Sequence, residues 1–370
     1  MTHITEHKRI HLIGIGGCSM SGLASILKNR GYYVQGSDRA ESPFTERLKE
    51  LGVPVFIGHD AKNIGDCDLI IFSAAIKSDN VERAEAKRRG IPELERSEAL
   101  GQLTEGYESV VGIAGCHGKT TITSMLALIC EQGGPDATVH IGGFVDFLNG
   151  GVRLGAHDMF ITEACEYVES FLTLRPTIAL INNIDNDHLD YYGDMEHIVA
   201  AFKKFAALLP ENGLLIGNTD DFRVRALMAE HTGRKLSYGM KDADYTPANI
   251  NYDDNGCPGF DIMFRGEKLM HIQLRIPGEH SVMNAIAAAA VAREIGADDK
   301  CIVSALNAFR NTRRRFEYYG ERNGVKYYHD YGHHPSEIAA TMKAASNVKH
   351  NKLFCVFQCN SYTRAKTLFL

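Results

Sequence analysis

A run of strand formers at 109–115, SVVGIAG, passes straight into Gly115-Cys116-His117-Gly118-Lys119-Thr120-Thr121 and then into a stretch of helical spacing, TITSMLALICEQ. No other feature constrains the chain so tightly. A glycine turn between strand and helix aims backbone N–H groups and a helix N-terminus at one concavity, and such a concavity suits phosphate. Glycines admit the anion to the backbone, Lys119 can neutralise the β- and γ-phosphates of a nucleotide, and the Thr120 hydroxyl can ligate Mg2+. Ile113 stands where the first glycine of the longer G-x-x-x-x-G-K-S/T pattern belongs, so a plain tight turn is the competing reading.

Alternation of strand and helix runs along most of the 370 residues. Segments rich in Val, Ile and Leu at 9–17, 32–38, 68–76, 109–115, 158–164, 177–185 and 213–220 are separated by longer stretches of helical spacing, the pattern of a mainly parallel sheet covered by helices. Ligands of such sheets bind beyond the carboxyl ends of the strands, so function is expected at these tips. From about residue 234 shorter alternating segments (RKLSYG, ANINYDDNG, FDIMFRGEKLMHIQLRIPG) predict a small antiparallel sheet, followed by the helical HSVMNAIAAAAVAREIG and a further strand-turn pattern. Polar GQLTEGYE and basic NTRRRFE place boundaries near 108 and 313. The expected fold is α/β in three parts: a Rossmann-like domain over 1–108, a central phosphate-loop domain with the small antiparallel sheet over 109–313, and an incomplete C-terminal Rossmann-like domain over 314–370.

Five further groups carry chemistry. Gly14-Ile15-Gly16-Gly17, with Asp38 ending the next strand, resembles a dinucleotide turn in which Ser19 replaces the third glycine; a pyrophosphate site and a bare βα turn both satisfy it. Nothing accompanies it that would transfer hydride. Glu163 and Glu166 follow one strand, and Asp185, Asp187, His188 and Asp190 follow another, so hard oxygen donors and an imidazole fall in the same part of the chain as the GKT turn, as a metal-nucleotide site needs. Gly278-Glu279-His280 opens a helix on which Asn284 either meets a nucleotide or faces solvent, and Arg313, Arg314 and Arg315 either clamp phosphate or form a solvated linker. Asp330-Tyr331-Gly332-His333-His334-Pro335 packs acid, aromatic and imidazoles into a turn whose composition reads as a site.

Composition narrows the class. A net charge of -6 gives no global basic field, which argues against nucleic acid as a partner. Nine cysteines without a CxxC pair fit a reducing cytoplasm. The polar start MTHITEHKRIHLIG and the short apolar run AIAAAAVA predict neither an export signal nor membrane insertion.

In order along the chain, HLIGIGGCSMSGLA, GSD, SAAIKSDN, GCHGKTT, EACEYVESF, NIDNDHLDYY, GEHSVMNA, RRRFE, DYGHHPSE and YTRAK resemble the Mur ligase family from about residue 9 to the end. The resemblance implies a UDP-binding domain, a central ATPase domain and a C-terminal domain that presents the amino acid, with ATP and Mg2+ as cofactors. Within the family the motifs lean toward addition of L-alanine to UDP-N-acetylmuramate through an acyl phosphate in cell-wall peptidoglycan synthesis. The resemblance assigns the UDP-sugar to Gly14, Ile15, Gly16, Gly17, Ser37, Asp38 and Ser73. It assigns ATP to Gly115, Cys116, His117, Gly118, Lys119, Thr120, Thr121, Asn284, Arg315 and Asp330. Thr120, Glu166 and His188 would hold the metal, with Lys119, Glu166 and His188 catalytic, and Tyr331, His333 and Arg364 would receive L-alanine.

Attachment of a recycled tripeptide to the same UDP-sugar is the nearest alternative, and a non-catalytic nucleotide-sugar-binding fragment is another. Folylpolyglutamate synthase shares a short G-x-x-G-K-S/T loop, but its ATPase domain comes first, whereas here about 108 residues precede the loop. Family members continue for most of another α/β domain beyond the position of Leu370. The sequence therefore predicts a truncated chain, doubtful in catalysis, with low stability in its last fifty or so residues.

Overall fold

The computed structural model describes residues 2–310 and 314–358, the side chains at 156, 157 and 190 excepted. Contacts gather the chain into two compact units that exchange segments along the sequence. The first is Met1–Ala114 with Asp136–Ala179 and Ala201–Gly213; the second is Gly115–Pro135 with Leu180–Ala200 and Leu214–Leu370.

In the first unit β1 (Arg9–Ile13), α1 (Cys18–Asn29), β2 (Tyr33–Asp38), α2 (Pro43–Glu50), β3 (Val55–Ile57), β4 (Leu69–Phe72), α3 (Val81–Arg89), β5 (Glu93–Glu95) and α4 (Arg96–Thr104) build a five-stranded parallel sheet in the order β3-β2-β1-β4-β5. Parallel strands are covered on both faces and so read as continuous apolar runs. Accordingly Ile10, Leu12, Ile13, Leu69, Ile70 and Ile71 are all fully buried. Local chemistry sets the helix ends: Ser42 caps α2 by accepting from the Thr45 N–H, with Pro43 in the first turn, and Asn80 caps α3, which Gly90 ends in the left-handed region. One polar group interrupts this core. The buried Glu82 carboxylate accepts from Ser37 Oγ at 2.5 Å and Asn63 Nδ2 at 2.8 Å and lies 3.4 Å from His11 Nε2. Burial opposes its charge, but those hydrogen bonds outweigh the burial and hold its pKa down at about 2.

The first unit also carries β6 (Ser109–Ala114), β7 (Ala137–Val145), β8 (Gly150–Arg153) and β9 (Ala156–Ala164), adjacent in the order β6-β9-β7-β8. β6 and β7 both run parallel to β9, and β8 returns antiparallel to β7. Phe171 stacks on Phe205 with ring centroids 4.8 Å apart and meets Phe202 edge-on at 5.4 Å.

The second unit opens with α5 (Lys119–Glu131). β10 (Ile178–Ile181) and α7 (Met195–Ala206) contribute residues to both units; the second continues with α6 (Leu189–Tyr192), β11 (Leu214–Asn218), α8 (Phe222–Glu230), β12 (Arg234–Tyr238), β13 (Tyr245–Tyr252), β14 (Pro258–Phe264) and β15 (Glu267–Gln273). The sequence grouped RKLSYG with the antiparallel strands; instead β12 lies parallel beside β11 over five residue pairs, and the antiparallel part is β13-β14-β15. Beneath them runs α9 (Glu279–Glu294), whose residues 285–292 are all fully buried. A helix apolar on every side has to be enclosed, and α9 is enclosed by α5, by the strands and by α10 (Asp299–Ala308). The C-terminal part supplies the hairpin β16 (Glu317–Arg322) and β17 (Val325–His329), then α11 (Pro335–Asn347). Residues 352–358, rich in strand formers, form no strand, and Phe354 and Val356 are exposed.

Candidate active site

The loop between β6 and α5 has the shape its glycines allow. Gly115 sits at φ +138° and Gly118 at φ +86°, where other residues are strained. A Cβ on Gly118 would lie 2.4 Å from Asn182 Nδ2 and 2.7 Å from Asn284 Oδ1, so glycine is demanded by space as well as by backbone angle. Gly118 is also the N-cap of α5 and supplies no side chain to the first-turn N–H groups. A helix N-terminus of this kind is suited to an anion. Lys119 folds back so that its ammonium donates to the carbonyls of Gly115 and Cys116.

Two asparagines at the end of β10 fix the loop from below. Asn183 Oδ1 accepts from the His117 N–H at 2.8 Å, and Nδ2 of Asn182 and of Asn183 both donate to the His117 carbonyl, at 2.9 and 3.1 Å. Tyr238 at the end of β12 donates to Asn182 Oδ1 at 2.6 Å, and Asn182 Nδ2 also reaches Asn284 Oδ1 at 3.5 Å. Asn284 is 5% exposed, which removes the solvent-facing reading of this residue. Sequence reasoning missed Asn182, Asn183 and Tyr238; the one available signal was a pair of amides at the tip of an apolar strand.

His117 is held by carboxylates. Its Nε2 lies 3.0 Å from Asp185 Oδ2 and its Nδ1 3.4 Å from Glu337 Oε1 in the first turn of α11. Burial works against a charged ring here, but the two neighbouring carboxylates prevail and raise the imidazole pKa to about 9. Asp185 also accepts from Ser336 Oγ at 2.6 Å, and the His334 ring lies 5.0 Å from that of His117, centroid to centroid. Arg315 pairs with Glu337 at 3.3 Å. Asp330 accepts from the N–H groups of Phe316 and Gly332 and so organises the turn that carries Tyr331 and His333, whose rings meet edge-on at 5.2 Å. Of the other residues expected in this region, Arg313 and Arg364 lie outside the described residues.

Strained residues flank two of the acidic positions. His188 has φ +57°, and its N–H donates to Asp187 Oδ1 at 2.8 Å. In the first unit Glu166 is 2% exposed and is followed by Val168 at φ +49° and Glu169 at φ +55°. Positive φ at a β-branched residue is costly, and such outliers gather at functional sites.

Also in the first unit, the N-terminal glycine turn gathers its expected residues at the carboxyl ends of β1, β2 and β4. Gly14 has φ +82°, and the position of its missing Cβ lies 3.5 Å from Ser73 Cβ. Gly14 and Ile15 donate to the Ser37 carbonyl, and Gly16 N–H donates to Asp38 Oδ2 at 2.8 Å. Ser37 and Asp38 therefore brace the turn, the Ser37 hydroxyl pointing inward to Glu82. Ser19 lies 3.2 Å from Nε2 of the buried His140 and accepts from Arg96 at 3.3 Å, two neighbours the sequence did not flag. Burial keeps His140 neutral, with a pKa lowered to about 4.

Comparison with known proteins matches three family signatures in succession: the Mur ligase family catalytic domain over 9–108, the Mur ligase middle domain over 113–292, and the Mur ligase glutamate ligase domain over 314–366. A UDP-N-acetylmuramate--L-alanine ligase of Clostridium beijerinckii is 45% identical over 98% of this chain and 80% of its own length. Among solved structures, UDP-N-acetylmuramate-alanine ligase from Thermotoga maritima superposes with a TM-score of 0.81 at 29% identity, covering 92% of this chain and 78% of that one. UDP-N-acetylmuramate:L-alanyl-gamma-D-glutamyl-meso-diaminopimelate ligase from Neisseria meningitides superposes at 0.74, also at 29% identity, over 83% and 100%.

Proposed function

We propose that this chain, which belongs to the Mur ligase family, joins L-alanine to the lactyl carboxylate of UDP-N-acetylmuramate, with conversion of ATP to ADP and phosphate, in peptidoglycan synthesis. The observation that carries the reading is 45% identity along nearly the whole chain to a ligase named for that reaction. The likeness to a ligase that accepts a peptide keeps the tripeptide as the alternative acceptor.

The roles divide along the sequence. Residues 1–108 take the UDP-sugar, with Gly14, Ile15, Gly16, Gly17 and Ser73 lining its turn and Ser37 and Asp38 shaping it. Residues 109–313 take ATP on the loop from Gly115 to Thr121, with Asn284 beneath it. In 314–370, Arg315 and Asp330 complete the nucleotide contacts, and Tyr331, His333 and Arg364 receive L-alanine. The cytoplasm is the proposed location; no helix among the described residues is long and apolar enough to cross a membrane.

The lactyl carboxylate attacks the γ-phosphorus of ATP and ADP departs, leaving an acyl phosphate. The amino group of L-alanine then attacks the acyl carbon, loses a proton and expels phosphate. The loop's backbone N–H groups and the N-terminus of α5 orient the phosphates, and the Lys119 ammonium balances charge that builds on the transferred group. The hydroxyl of Thr120 and the buried carboxylate of Glu166 are hard oxygen donors of the type Mg2+ prefers, with His188 as a further ligand. When bound, that ion supplies Lewis-acid neutralisation of the phosphates.

Mass analysis of the product tests the reading. Incubation with UDP-N-acetylmuramate, Mg2+, ATP and an equimolar mixture of L-alanine and tripeptide is expected to yield the alanyl product. Exclusive peptide addition would replace the reading by its alternative.

A further inference from the structure

We propose that His117 Nε2, Asp185 Oδ2 and His334 Nδ1 form a binding site for a divalent ion of the Zn2+ class, separate from the Mg2+ of the ligase reaction. Each of the three residues brings a ligand atom within 4.8 Å of the others'. Asp185 Oδ2 is 3.0 Å from His117 Nε2 and 3.5 Å from His334 Nδ1. Tetrahedral Zn2+ with bonds of about 2.0–2.1 Å holds its ligand atoms about 3.3 Å apart, and the two separations bracket that value. Three protein donors leave a fourth position for water.

The tautomer of His334 already suits an ion. His334 Nε2 lies 3.1 Å from the Asn186 carbonyl, an acceptor that can only be met by N–H, so the Nδ1 lone pair is the one turned toward Asp185. A lone pair facing a carboxylate oxygen calls for a cation or proton between them. His117 Nε2 donates to Asp185 Oδ2 at 3.0 Å and would give up that proton to the ion, while its Nδ1 lies 3.4 Å from Glu337 Oε1. His334 thus has a backbone carbonyl as outer partner and His117 a carboxylate within reach of its Nδ1, an arrangement of the kind that fixes and strengthens metal-bound imidazoles. The ion would replace the 3.3 Å bond from the Ser336 N–H to His334 Nδ1 and the 3.0 Å bond from His117 Nε2 to Asp185 Oδ2, and would share Asp185 Oδ2 with the Ser336 hydroxyl at 2.6 Å. Two nitrogens and one oxygen favour Zn2+ or Co2+ over Mg2+. An ion here ties the phosphate loop directly to the first turn of α11.

Co2+ serves as the probe, added to the intact chain and followed by its visible absorption. One equivalent is expected to give the intense bands of a four-coordinate site, displaced by Zn2+ and retained in excess Mg2+. His334→Asn keeps an acceptor at the N-cap of α11 and removes the imidazole, so it is expected to abolish the bands with the fold intact by circular dichroism. Glu337→Gln is expected to weaken Co2+ about 10–100-fold. His188→Ala is expected to leave the bands in place. Absence of the bands, their persistence in His334→Asn, their loss in His188→Ala, or displacement by Mg2+ would each overturn the proposal.

Discussion

The phenol of Tyr238 donates a 2.6 Å hydrogen bond to Oδ1 of Asn182, and both side chains are buried. That bond orients the amide so that its nitrogen faces the His117 carbonyl and the glycine loop is pinned from beneath. Tyr238→Phe removes the donor and leaves a buried acceptor unmet. It is expected to lower unfolding free energy by about 1–3 kcal/mol and to raise the KM for ATP more than that for L-alanine. Denaturant unfolding and steady-state kinetics read the two effects; equal changes in both KM values would contradict the pinning role.

Gly118→Ala meets two obstacles at once, a positive φ and side-chain atoms at 2.4 and 2.7 Å. Gly133 shares a positive φ, +102°, but has nothing within 4 Å of its missing Cβ. Gly133→Ala is therefore expected to cost about 1–2 kcal/mol of stability and leave ATP affinity alone. Gly118→Ala is expected to lose ATP binding outright, as read by calorimetry with a non-hydrolysable analogue.

Lys119→Ala takes away the ammonium at the mouth of the loop. By analogy with loss of a single preorganised donor, kcat is expected to fall about 10²–10³-fold. The thermal midpoint is expected to change little.

His117 makes stability depend on pH. Its pKa is raised from 6.5 to about 9, so its contribution is fully present below pH 6.5 and is lost as pH rises through about 9. The facing groups are Asp185, Glu337, His334, Arg315 and the neighbouring Lys119. Asp185 and Glu337 are held below the usual carboxylate range, so their contribution disappears only in acid. Thermal melts between pH 6.5 and 9.5 are expected to show a decline in the wild type that His117→Asn flattens.

Much of this was legible from residue order alone. The apolar runs at 9–17, 68–76 and 109–115 appear as β1, β4 and β6, because parallel strands buried on both faces leave an unbroken apolar signature. Edge strands do not, and the three-residue β3 and β5 passed unnoticed. The glycine turns were visible because their backbone angles admit little else. The asparagines that hold the loop were not, since a single amide has no periodicity and its partner Tyr238 lies 56 residues away. The segment DYGHHPSE announced a site by composition, but the pairing of Glu337 with both His117 and Arg315 exists only in three dimensions.

ADP release from the purified chain, with each substrate omitted in turn, tests the central claim most directly. The account predicts Mg2+-dependent release only when UDP-N-acetylmuramate, ATP and L-alanine are all present, and release about 10²–10³-fold slower in Lys119→Ala. Release that ignores UDP-N-acetylmuramate or L-alanine would contradict it.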